Sequence, residues 1–235
     1  MKNYFLLTAF VLGFASLANA QYEFYGRPVR LGFKIDPVIS NSLKPAENGV
    51  DKDGGKLGIN YGLMVDVAFR DSRGAFATGL EISHAAASLK YAAGGSKGLY
   101  RNEASGEQRY DVKLQYIQIP LTVKLKTNET SEGLRWWGQF GTYLGALTRA
   151  RADISYAKKE GGNEKLDNQN IFSKTNRINM GLMLGAGGEY ELSENTDLYF
   201  GLGYENGFTD VTSNKNWHDG KVALNRFAIR LGLFF

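Results

Sequence analysis

The last stretch of the chain alternates without a break. Phe227, Ile229, Leu231, Leu233 and Phe235 take one set of positions; Arg226, Ala228, Arg230, Gly232 and Phe234 take the other. A period of two marks a β-strand with two chemically different faces. A soluble sandwich buries its apolar face, whereas a membrane barrel turns that face to lipid and the polar one to its lumen. Repetition of the pattern along the chain bears on the choice.

The pattern repeats seven more times. One strand runs Val29–Asp36, with Val29, Leu31, Phe33 and Ile35 opposite Arg30, Gly32, Lys34 and Asp36. A second covers Leu57–Arg70, and a third starts at Phe76 and loses its regularity near His84–Tyr91. In the fourth, Tyr110–Lys126, apolar residues sit on even positions to Tyr116 and on odd positions from Ile117. That switch predicts a β-bulge at Tyr116–Ile117, close to Pro120, which cannot donate to a ladder. The fifth, Leu134–Arg149, places Trp136, Phe140, Thr142 and Leu144 outside and Gly141 and Gly145 inside. The sixth sets Ile178, Met180, Leu182, Leu184, Ala186 and Tyr190 against Asn179, Gly181, Met183, Gly185, Gly187 and Glu189. The seventh sets Leu198, Phe200, Leu202 and Tyr204 against Tyr199, Gly201, Gly203 and Glu205, and the C-terminal strand is the eighth.

Connection lengths then alternate. Residues 71–75, 127–133 and 193–196 are short turns, while 37–56, 92–108, 150–176 and 206–223 are long and polar. The expected fold is therefore all-β: an eight-stranded antiparallel up-and-down transmembrane β-barrel with both termini on the short-turn side. In outer-membrane barrels that side is periplasmic. Phe69, Phe76, Trp136, Tyr190, Phe200 and Phe235 fall at that end, where an aromatic girdle belongs. A soluble barrel with inward apolar faces is the competing arrangement, but the small, glycine-rich polar face suits a narrow lumen better than a solvated exterior.

Residues 1–20 read as a secretory signal: Lys2, an apolar run from Tyr4 to Phe14, and Ala18-Asn19-Ala20 before Gln21. Residues 21–235 then form one barrel domain. A mean hydropathy of −0.31 fits a barrel, in which alternation dilutes every apolar segment. The chain has no cysteine, which removes disulfides and thiolate metal sites, and a net charge of +4 without a basic run gives no support to nucleic-acid binding.

An eight-stranded barrel is just wide enough to be filled by side chains. The expected lumen residues are Arg30, Lys34, Asp36, Asp66, Glu81, Lys113, Lys124, Glu189, Glu205, Arg226 and Arg230, with Phe235 as a C-terminal assembly signal. Mixed signs in so small a space should pair into a structural plug rather than an ion pathway. No catalytic, cofactor-binding or metal-binding residue is assigned and no cofactor is expected. Of two histidines, His84 lies in a SHAAAS stretch (Ser83–Ser88) that could offer a His–Ser pair of the kind used by lipid-modifying barrels; a rim histidine without a catalytic role is the expected reading. The glycines at Gly185–Gly188 are followed by no helix and are lumen residues, not a nucleotide loop.

The segment LQYIQIPLTVKLKT (Leu114–Thr127), with its Ile119-Pro120 step, resembles the PorT-like outer-membrane β-barrel family of Bacteroidetes. So do QFGTYLGALT (Gln139–Thr148), NMGLMLGAGGEYEL (Asn179–Leu192) and the terminal aromatic strand. The resemblance implies an eight-stranded outer-membrane barrel of OmpA/OmpX-like architecture with no catalytic residues. Some relatives are associated with type IX secretion and gliding. The expected function is a non-enzymatic outer-membrane protein, in contact with outer-membrane lipid, whose long loops or periplasmic face engage an envelope partner such as a secretion apparatus. A lipid-modifying enzyme using His84 and a small pore are the alternatives.

Overall fold

The structure, a computed structural model, describes residues 28–40, 43–45, 48–69, 73–93 and 96–235. The expected signal segment, 1–20, lies outside them. Ten strands are present among the described residues: β1 (Val29–Ser40), β2 (Leu43–Pro45), β3 (Val50–Ala68), β4 (Gly74–Tyr91), β5 (Ala104–Lys126), β6 (Leu134–Lys158), β7 (Asn163–Asn170), β8 (Ile178–Ser193), β9 (Thr196–Gly207) and β10 (Val222–Phe234). Eight of them form the barrel wall in the order β1-β3-β4-β5-β6-β8-β9-β10, and β1 pairs with β10 to close it. All pairings are antiparallel, so the wall is an eight-stranded up-and-down barrel.

The two additional strands sit at the end with the long connections. β2 takes the place of β1 beside the start of β10, pairing Leu43 with Leu224 and Pro45 with Val222. β7 folds back on β6 as a hairpin. Its turn contains Gly161 and Gly162 at φ of 94° and 84°, a left-handed pair that only glycine adopts cheaply.

The barrel is far taller than the sequence pattern suggests. β5 has 23 residues and β6 has 25, whereas about 9–11 residues of tilted strand cross a bilayer. Parts of the connections expected at 37–56, 92–108 and 150–176 are therefore wall: β3 begins at Val50, β5 at Ala104, and β6 runs on to Lys158. The irregular end expected for the third strand is also regular, with His84–Tyr91 paired residue for residue to β5.

The expected bulge at Tyr116–Ile117 is not in β5. Even residues from Gln108 to Lys124 point inward without a change of phase, and odd residues point out. What changes at Tyr116 is the chemistry of the two faces, not the register. The irregularity lies on the neighbouring strand. Tyr116 pairs with Leu147 and Gln115 with Arg149, leaving Thr148 as the extra residue of β6. Pro120 has a different effect: the β4–β5 ladder breaks between the pairs Ala77–Thr122 and Glu81–Gln118, across from Gly79.

Candidate functional site

The interior has two tiers, and the sequence builds them from the same strands. The lower tier, at the short-turn end, is ionic. Arg226 bonds the Glu205 carboxylate and the Ser83 hydroxyl, and donates to Gln118 Oε1 at 2.7 Å. Lys34 pairs with Asp36 at 2.8 Å and with Glu81. Lys124 reaches Asp66 at 2.6 Å and Glu189 at 3.4 Å, while Arg30 holds Glu189 at 2.8 Å and Asp197 at 2.5 Å. Lys126 also meets Glu189, at 2.9 Å. Arg230 donates to Gln139 Oε1 at 2.5 Å, and Gln139 donates in turn to Thr122.

Six cations (Arg30, Lys34, Lys124, Lys126, Arg226, Arg230) thus face six carboxylates (Asp36, Asp66, Glu81, Glu189, Asp197, Glu205). Matched charges leave no field of one sign to draw an ion through. Aromatic rings floor this tier: Trp137 stacks on Tyr199 at 4.7 Å, and Arg30 lies 4.4 Å from the Phe234 ring centre. Glycines make room for them. A Cβ at Gly187 or Gly201 would stand 2.7 or 2.6 Å from the Trp137 ring, and one at Gly203 would stand 2.5 Å from Arg230 Nε. The glycine-rich inner faces of β8 and β9 are the mould of Trp137 and Arg230.

The upper tier is an apolar core. Leu89, Tyr91, Tyr110, Val112, Leu114, Tyr116, Leu147, Ala152, Ile154, Val222 and Leu224 are all buried there. A short helix, α1 (Asn214–Trp217), drops Trp217 into the top, fully buried, with its ring 4.9 Å from Tyr110 and stacked on Tyr91 at 5.8 Å. Its indole N–H donates to the Lys174 carbonyl at 2.7 Å, and its own carbonyl accepts from Gly98 N–H at 2.8 Å. The Tyr91 hydroxyl donates to buried Asp219 at 2.7 Å, and the Thr212 hydroxyl lies 3.1 Å from an oxygen of both Asp219 and Asp210. Burial holds the Asp219 carboxyl above the usual carboxylate range, against hydrogen bonds that pull it back; burial raises Asp210 likewise.

The outer surface inverts at the same level. Around the lower tier it is a belt of exposed Leu31, Phe33, Leu63, Leu121, Phe140, Leu184, Leu202, Phe227 and Leu231. An apolar groove of about 550 Å³ between Phe140, Leu184, Leu202 and Phe227 opens onto this belt, away from the interior. Around the upper tier the exterior is charged, with Lys113 pairing Asp153 at 2.7 Å, Lys56 pairing Asp111 at 2.9 Å and Arg109 pairing Asp53 at 2.9 Å.

Of the expected lumen residues, Arg30, Lys34, Asp36, Asp66, Glu81, Lys124, Glu189, Glu205, Arg226 and Arg230 lie inside. Lys113 does not: it is exposed on the outer wall, because Val112, Leu114 and Tyr116 fill the interior on either side of it. The upper core and its Trp217 cap were missed. Phe235 is exposed at the base, its N–H bonded to the Leu31 carbonyl at 2.8 Å. His84 faces outward, with Nδ1 2.6 Å from the Ile59 carbonyl oxygen and its ring against Tyr61. Ser83 points to the opposite, inner face, and Ser88 is bonded to Asp111. The SHAAAS stretch therefore assembles no His–Ser pair.

An exposed apolar belt around a filled, hydrogen-bonded barrel with no open edge in its wall defines a membrane-spanning β-barrel. The chain belongs to the outer-membrane β-barrel family: the family model described as "Outer membrane protein beta-barrel domain" matches residues 19–213. Its place is accordingly the Gram-negative outer membrane. Among solved structures it is similar to Neisserial surface protein A, at 11% identity over 88% of this chain and 96% of that one, with a TM-score of 0.45. It is also similar to the attachment invasion locus protein Ail of Yersinia pestis (14% identity, 88% and 97% covered, TM-score 0.36) and to OprG from Pseudomonas aeruginosa (13%, 88% and 94%, 0.36). All three scores fall below 0.5, so the family match and the chain's own geometry carry the assignment. Among curated proteins, none matches the sequence.

Proposed function

We propose that this is a non-enzymatic outer-membrane protein with a closed lumen, whose outward extension docks an envelope partner. The observation that supports it most is the upper tier: a sheet rising beyond the apolar belt, braced by its own core and capped by Trp217. A membrane anchor has no need of such a tower; a rigid display surface does. The specific version is association with a secretion apparatus of the type IX or gliding kind, which rests on the PorT-like resemblance of Leu114–Thr127. The orientation that belongs to this reading puts the long connections outside and both termini in the periplasm, as short-turn ends are elsewhere.

Photo-crosslinking side chains at Arg109 and Asp111 on the tower, and at Glu132 and Glu194 in the short turns, test it in living cells. Adducts to one discrete partner from the tower positions are expected. Adducts from the turns alone would move the docking surface to the periplasmic face. For the orientation, cysteines at the exposed positions 158–163, within the connection expected at 150–176, should react with an impermeant maleimide on intact cells and cysteines in 193–196 should not. The matched charges of the lower tier argue against the small-pore alternative, and planar-bilayer recordings should show no conductance steps.

A further inference from the structure

The capped end of the tower treats its charges differently from the wall below it. On the wall, cations sit on carboxylates: Lys56 on Asp111 and Arg109 on Asp53, both at 2.9 Å, Lys113 on Asp153 at 2.7 Å, and Lys158 on Glu164. Around the Trp217 cap, Arg101, Lys174 and Lys215 make no ion pair among the described residues. The fold gathers these three. Arg101 Nη1 donates to the Gly98 carbonyl at 3.1 Å and to the Asn216 carbonyl at 2.9 Å, which ties it to α1. Lys215 is the exposed residue beside Asn216 on that helix. Lys174 is tied to the same helix through its carbonyl, which accepts from the Trp217 indole N–H at 2.7 Å and from the Ser213 N–H at 3.2 Å.

The carboxylates at this end are committed elsewhere. Asp210 accepts from the Val222 N–H at 2.9 Å, buried Asp219 from the Tyr91 hydroxyl at 2.7 Å, and Glu103 from the Tyr156 hydroxyl at 3.0 Å. The two backbone carbonyls hold one nitrogen of Arg101 and leave Nε and Nη2 without a hydrogen bond among the described residues. That open edge is the fork that matches a carboxylate bidentately. Because the guanidinium is already held in place, little side-chain freedom remains to be lost on binding. A sugar is less well served. Sugar rings pack on a bare aromatic face, and Tyr100, the half-exposed ring of the cap, is already engaged by Tyr156, stacked at 5.0 Å, and by Lys174 Nζ at 5.9 Å.

We propose that Arg101, Lys174 and Lys215 form a docking patch for an acidic polypeptide segment of the partner, with one carboxylate on the Arg101 fork and the two lysines beside it. Such docking rests on the reading that the tower meets an envelope partner, and it gives that partner's chemistry. Crosslinking from the wall tests the reading in cells. A peptide titration tests the patch without the partner, so either can fail alone.

The test is fluorescence anisotropy of labelled hexaglutamate with the refolded full chain in bilayer discs of zwitterionic lipid at low salt. Hexaglutamine and an oligogalacturonate are titrated in parallel. Hexaglutamate should bind, hexaglutamine should not, and added salt should weaken the binding steadily. R101Q should weaken it about tenfold and K215Q by a smaller factor, while K113Q on the wall should leave it unchanged. Folding is checked by heat-shifted mobility on unboiled gels, and K215Q, whose side chain braces nothing, serves alone if R101Q loosens the cap. Absent or salt-independent binding of hexaglutamate, equal binding of hexaglutamine, binding of the oligogalacturonate as tight or tighter, unchanged binding by K215Q, or an equal loss in K113Q would overturn it.

Discussion

β5 passes through two regions that obey opposite rules. From Ile117 to Leu125 its outward residues are apolar and its inward ones, Pro120 apart, are the polar Gln118, Thr122 and Lys124. From Arg109 to Tyr116 the outward residues are polar or charged and the inward ones are Tyr110, Val112, Leu114 and Tyr116. Backbone geometry and phase are common to both. The difference teaches that alternation reports a strand with two unlike faces, and that only the surrounding solvent says which face is buried. Lipid around the lower tier lets charges hide inside, matched and hydrogen-bonded. Water around the upper tier restores the arrangement of a soluble barrel, and the hydrophobic effect again holds the core.

The largest effect should come from breaking the lower tier. Arg226→Met leaves Glu205 buried without its partner and should cost about 3–5 kcal/mol, read as a lower urea midpoint for the barrel in vesicles. Pairing it with Glu205→Leu should recover much of the loss; no recovery would mean that the two side chains do not act as a pair. A comparable insult to the upper tier should stay local. Trp217→Ala should cost about 3–5 kcal/mol of cap stability, raising hydrogen exchange at Gly98 and Tyr110 while Arg230 and its neighbours stay protected. Simultaneous loosening of both would make the tiers one cooperative unit.

The exteriors differ by a somewhat smaller amount. Leu182→Arg, in the belt, should cost about 2–4 kcal/mol near the bilayer midplane and reduce the heat-resistant folded band, with Leu182→Phe tolerated. Gln115→Arg, two positions above Ile117, should fold as the parent does. Equal defects would place the water boundary above Gln115. The smallest effect concerns pH. Because burial raises the Asp219 carboxyl above its unfolded value, the folded cap binds a proton more readily than the unfolded one. Cap stability should therefore fall as pH rises from the ordinary carboxylate value through the raised one, and be greater at mildly acid pH than at neutrality. Exchange at the Trp217 and His218 amides, corrected for the intrinsic pH dependence, measures this. Asp219→Asn should flatten the profile.

The lower tier was legible because its contrast matched a single assumption, apolar toward lipid. Strand six and the C-terminal strand could be placed inside and outside residue by residue. The upper tier obeyed the opposite assumption, so Val112, Leu114 and Tyr116 read as lipid-facing and Lys113 as lumenal, and a bulge was needed to reconcile them with Ile117–Leu125. One signal pointed the other way. The polar–apolar pattern runs from Gln108 to Leu125 without a turn signal, a length no bilayer requires, so part of that strand had to stand in water. The true insertion, Thr148, left no mark in its own strand, where Ala146, Leu147, Ala150 and Ala152 blur both faces. The Trp217 cap depends on contacts between residues more than a hundred apart in sequence, which periodicity cannot reach.

The central claim is the inversion of polarity within one unbroken strand, and a spin-label scan of β5 tests it most directly. Nitroxides would be placed one at a time at Arg109, Asp111, Val112, Lys113, Leu114, Gln115, Ile117, Leu121 and Leu125 of the protein in bilayers, and their collision rates with oxygen and with a water-soluble nickel chelate compared. Oxygen should dominate at Ile117, Leu121 and Leu125, the chelate should dominate at Arg109, Asp111, Lys113 and Gln115, and labels at Val112 and Leu114 should be shielded from both. Oxygen access at Val112 and Leu114, with Lys113 shielded, would restore the bulge to β5 and contradict the two-tier account.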